Sequence, residues 1–158
     1  MNVASWLLWG FASTLLLTTT LAVSQALGLT RMNMPYMLGT MFTADRDRAR
    51  LYGFVAHLVN GLVFSLLYVF VFQSWGVASW WRGSLIGVLH GLFVLVIGMA
   101  MLPGIHPRIA SEQHGPTANR QLEPPGFMAI NYGIRTPISV LVSHAVFGAV
   151  LGAFYKLA

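Results

Sequence analysis

Four apolar runs, at roughly 5–28, 51–73, 82–103 and 137–157, alternate along the chain with shorter polar stretches. At about 1.5 Å of rise per residue each run is long enough to cross about 30 Å of hydrocarbon as a helix, and far longer than a spanning strand requires. None carries the strongly polar face of a surface helix. The first run lacks the basic flank and small-residue cleavage site of a secretory signal, which predicts that it is retained as a span. Within two of the runs the polar positions repeat. His57-x-Val59-x-Gly61-x-Val63-x4-Tyr68 returns as His144-x-Val146-x-Gly148-x-Val150-x4-Tyr155, and Ala4-Ser5-Trp6 returns as Ala78-Ser79-Trp80. The pattern predicts an all-α, four-helix transmembrane bundle, one integral membrane domain over 1–158, built from two similar hairpins at about 4–73 and 78–158. Because the repeated segments run in the same direction, the repeat is of the parallel type, with spans two and four on a diagonal.

Composition agrees with this reading: 56% of residues are hydrophobic, 8% are charged, and the mean hydropathy is +0.69. The chain has no cysteine, which removes disulfides, thiolate zinc sites and thiol catalysis. Charge then orients the bundle. Arg31, Arg46, Arg48 and Arg50 lie between spans one and two, and Arg108, Arg120 and Arg135 between three and four. The opposite side has only Arg82 and Lys156. Cations at span ends are retained on the cytoplasmic side, so both termini are expected to face outward. The basic balance is thereby explained by topology and anionic headgroups, not by nucleic acid. Trp6, Trp9, Trp75, Trp80 and Trp81 gather at the outer ends of the spans, as an aromatic belt does.

The two loops differ. The first contains Met32, Met34, Met37 and Met41 and reads as a segment lying in the membrane interface, after which Thr43 and Asp45 cap a helix that starts in water. The second, Gly104 to Thr136, is long enough to imply either disorder or a function such as covering a site or docking on a partner. Gly10-Phe-Ala-Ser-Thr14, Met34-Pro-Tyr-Met-Leu-Gly-Thr-Met-Phe42, His57 with Asn60-Gly61, and Arg82-Gly83 leading to His90-Gly91 together make the chain resemble small four-span bacterial membrane proteins of domain-of-unknown-function families. That resemblance implies a fold and an inner-membrane location, and no activity.

His57, His144 and His90 are the candidate site residues, because ionisable side chains at membrane depth usually face the bundle interior and mark a polar path or site. Three roles suit the His57/His144 pair. Neutral imidazoles can bond across helices to Asn60, Ser143 or a span-one threonine such as Thr18, Thr19 or Thr20. They can ligate a haem b or a chlorophyll, with Gly61 and Gly148 leaving room for the macrocycle. They can also serve a proton route or a quinone pocket. Gly83, Gly87, Gly91, Gly148 and Gly152 lie four residues apart and are expected to let helices approach closely.

A second set, His106, Glu112 and His114 with Glu123, offers nitrogen and oxygen ligands for zinc or iron near the cytoplasmic surface, without helical i, i+4 spacing. Catalysis has no visible parts, since the spans contain no carboxylate and Ser143 beside His144 is turned about 100° away round a helix. The expected function is therefore a non-catalytic accessory subunit of a larger inner-membrane complex of respiratory or photosynthetic type. Its expected partners are other membrane subunits and lipid. The alternatives are a haem- or chlorophyll-binding protein and a small transporter.

Overall fold

A computed structural model describes residues 1–111 and 122–157. Helix α1 (Val3–Ala26) starts where the Asn2 side chain accepts the Ser5 amide proton at 3.0 Å. A short α2 (Met34–Gly39) is capped in the same way by Asn33 and has Pro35 in its first turn. Helix α3 (Arg46–Trp75) begins with Asp45 accepting from the Arg48 amide at 2.8 Å and ends at Gly76, whose φ of +65° favours glycine. The third span consists of α4 (Trp80–Phe93), a π-helical turn (Val94–Gly98) and α5 (Met99–Ile105). A 3₁₀ stretch (Phe127–Tyr132) precedes α6 (Thr136–Phe154). Four helices, Val3–Ala26, Arg46–Trp75, Trp80–Ile105 and Thr136–Phe154, are long and apolar enough to cross a membrane. No β-strand occurs among the described residues.

Round the bundle the spans follow the order α3, α1, α6, α4. The α4–α6 contact is the most extensive, while α3 and α4 barely approach each other. Glycine explains the difference. A Cβ on Gly83 would lie 1.8 Å from the Gly148 carbonyl oxygen, and one on Gly87 would lie 2.1 Å from that of His144. This pair of helices is thus in backbone-to-backbone contact, as the four-residue spacing of glycines predicts. Spans two and four touch only slightly, and corresponding residues of the two halves pack differently. Gly61 faces the Thr14 side chain, whereas Gly148 faces the backbone of Gly83. Tyr68 bonds His90, whereas the Tyr155 hydroxyl accepts from Gln73 and from the Asn2 amide. The likeness of the halves is one of sequence.

The methionine segment is not spread along an interface. Met32, Met34 and Met37 are buried with Leu21, Leu95, Met99, Ile109, Ala129 and Val140 in an apolar cluster that closes the loop end of the bundle. α2 lies directly on α3, with a Gly53 Cβ position only 1.5 Å from the Pro35 carbonyl oxygen. The described part of the second loop completes this closure. Thr30 and Thr136 share a buried hydroxyl contact of 2.7 Å, Arg31 pairs with Glu123 at 3.1 Å, and the Arg31 amide donates to Tyr132 O at 2.7 Å. Burial, with the Glu123 carboxylate nearby, pushes the Tyr132 phenol up to about 12. Met128 and Ala129 adopt left-handed φ of 51° and 60°, a conformation that side chains disfavour and the surrounding contacts hold.

Candidate functional site

Where α3 and α4 diverge, a cavity of about 420 Å³ remains, lined by residues from all four spans and from the methionine segment. Along this cavity Phe93, Ile97 and Met101 are exposed on the outside of the third span, and Asn60 on that of the second. The cavity is therefore a cleft that reaches the flank of the bundle within the apolar spans. The π turn lies beside it. Met99 N–H bonds Val94 O, five residues back, and Pro103 withholds the next donor that would reach Met99 O, so the third span widens where Val94, Ile97 and Gly98 meet the cavity.

His57, His90 and His144 all line this one cavity, which brings the three span histidines of the sequence together. His57 is 8% exposed and its Nδ1 lies 3.0 Å from the Thr18 hydroxyl. His144 is 6% exposed and its Nδ1 lies 2.8 Å from the Val140 carbonyl oxygen, one turn back on its own helix. His90 reaches the Tyr68 hydroxyl with Nδ1 at 3.0 Å, lies tilted against Phe64 with ring centres 4.5 Å apart, and meets His144 edge-on at 4.8 Å. Thr18 was among the bonding partners expected from sequence. Asn60 lies at the cleft without bonding either imidazole, and Ser143 donates instead to Ser139 O at 2.7 Å. Tyr68 was missed as a partner of His90, although it ends the first copy of the repeated motif.

Of the two glycines expected to leave room for a macrocycle, Gly61 lines the cavity and Gly148 does not, and the Cβ position of each faces neighbouring chain. A Cβ on Gly61 would lie 2.2 Å from Thr14 Oγ1, and one on Gly148 would lie 1.9 Å from Gly83 O. Among the described residues no group of three His, Cys, Asp or Glu side chains is placed to hold a metal ion.

His106 stands apart from the cleft as a fastener of the loop end. Its Nε2 donates to Met37 O at 2.9 Å, its Nδ1 accepts from the Arg108 amide at 3.1 Å, and both ring nitrogens are thereby engaged. Burial lowers its pKa, the bond to Met37 O opposes that shift, and the Arg108 charge adds to it. Glu112 and His114, the other two expected metal ligands, lie outside the described residues. Glu123 is paired with Arg31.

Comparison with known proteins finds no match: no family model, no curated protein and no solved structure. The chemistry of the site is read from its own geometry. It offers an apolar chamber at membrane depth, imidazole nitrogens on its wall, and no charged side chain among its lining residues.

Proposed function

We propose that the protein is a non-catalytic intramembrane binding subunit that holds an apolar ligand in the cleft between its second and third spans, as an accessory component of a larger complex in a bacterial inner membrane. The observation that carries this reading is the cleft itself: it reaches the flank of the spans and has three buried or half-buried imidazoles on its wall. Ligand sites are typically concave and mostly apolar, with a few polar groups that fix orientation. In the proposed orientation the loop end, with Arg31, Arg46, Arg48, Arg50, Arg108 and Arg135, faces the cytoplasm and anionic headgroups.

The test is isolation from the native host in mild detergent, followed by blue-native electrophoresis, extraction and mass analysis of bound lipid, and a reduced-minus-oxidised spectrum. A stoichiometric apolar ligand in a larger assembly is expected. It should be lost in Gly98→Phe, which fills the cleft from a position whose Cβ meets nothing closer than Val94 at 4.0 Å. A free monomer without bound ligand would refute the proposal. A haem or chlorophyll band that disappears in His57→Ala or His144→Ala would replace it with the axial-ligand reading.

A further inference from the structure

Hydrogen-bond balance favours one tautomer in two of the cleft histidines. The Thr18 hydroxyl has one proton and gives it to Thr14 O at 2.7 Å. With the hydroxyl proton on Thr14 O, the shorter of its two contacts, the contact with His57 Nδ1 at 3.0 Å is donated by the imidazole. Val140 O can only accept, so His144 Nδ1 donates as well. Hydrocarbon surroundings favour the uncharged ring, and an uncharged imidazole has a single N–H. In both residues Nε2 is therefore a bare lone pair. Among the described residues no hydrogen bond reaches either Nε2, and both residues, 8% and 6% exposed, line the cavity, to which these atoms stay open. An occupant of the chamber covers these atoms, and two acceptors of the same kind on one apolar wall call for a ligand that brings donors.

We infer that the occupant of the cleft is an uncharged lipid whose head donates hydroxyl protons to His57 and His144, and that the corresponding carbonyl compound is held less tightly. This inference rests on the reading of the cleft as a binding site. An anionic head would find no cation on the cavity wall and a cationic head no carboxylate. Phe64, Phe93, Phe147 and the His90 ring suit a flat aromatic head, so a hydroquinol fits the wall as well as the lone pairs. Its oxidised quinone presents carbonyl lone pairs to imidazole lone pairs. His90 is the adaptable member, because its contact with the Tyr68 hydroxyl can be donated from either side. The cleft is thus selective for redox state without any electron transfer of its own.

The test uses the full chain in lipid nanodiscs under anaerobic conditions, with equilibrium binding of decylhydroquinone, of decylquinone, and of dioleoylglycerol as competitor. The reduced ring is expected to bind more tightly than the oxidised ring by about tenfold or more, the effect of leaving a buried acceptor unpaired. Thr18→Val, which keeps the shape of the side chain but removes the acceptor at His57 Nδ1, frees that ring to move its proton to Nε2. It should bring the two affinities to within about threefold of each other. Equal affinities in the unaltered protein, or preference for the quinone, would overturn the inference and leave the cleft as a binding site. Failure of all three compounds to bind would overturn the underlying reading. Displacement of the hydroquinone by equimolar dioleoylglycerol would assign the hydroxyl to a glyceride, and failure to displace it would assign it to the aromatic ring.

Discussion

Gly83 shows how a single residue can set the distance between two helices. With its Cβ position 1.8 Å from Gly148 O, any side chain must push a backbone carbonyl away. Gly83→Ala is therefore expected to destabilise the protein by about 3 kcal/mol, at the upper end of ordinary overpacking. Gly104→Ala, at a position with nothing within 4 Å, should stay within about 1 kcal/mol of the parent protein. Denaturation midpoints of both variants in mixed micelles check this, and equal midpoints would remove the backbone contact from the account. Small residues at a four-residue interval made this contact readable from sequence. The partner of each histidine was less readable. Thr18 could be named among several threonines, but Tyr68 could not, because a tyrosine near a span end has many ways to be satisfied and its pairing with His90 depends on how far α3 leans from α4.

At the scale of elements, the spans were legible because length and apolarity alone decide them, and Asp45 marked the start of α3 through its capping chemistry. The π turn and the buried methionine segment were not legible. A π turn leaves no periodic signal in an unbroken apolar run, and Met32 to Met37 are equally apolar whether they face lipid or core. The loop end is fastened by His106, whose bonds to Met37 O and from Arg108 N use the uncharged ring. Because the folded pKa is held below the ordinary value of about 6.5, the unfolded form takes up a proton first as acidity rises. The His106 contribution is thus complete above about pH 6.5 and declines as the pH falls below it. Amide exchange at Met41 to Thr43 is expected to accelerate between pH 7 and pH 5, once corrected for intrinsic rates. In His106→Gln, which keeps a donor for Met37 O but does not titrate, that acceleration should vanish; its persistence would assign the pH response to another group.

Taken whole, the molecule is a bundle with one closely joined side, α4 against α6, and one divergent side, α3 against α4. Its proposed orientation can be read with single cysteines, since the chain contains none of its own. Trp80→Cys and Phe42→Cys replace exposed side chains at opposite ends. A membrane-impermeant maleimide applied to intact spheroplasts is expected to label the first and to reach the second only after permeabilisation. The reverse pattern would invert the topology. The divergent side has a kinetic consequence. α3 and α4 approach through side chains, with Phe64 and Tyr68 resting on His90, and not through interlocked backbones. Widening the cleft mouth therefore requires rotamer changes and not the sliding of helices, and the exposed Phe93 and Ile97 on the cavity wall change rotamer within picoseconds to nanoseconds. Entry of an occupant would then be limited by lateral diffusion in the bilayer, while its residence would be set by the contacts it makes inside the cleft.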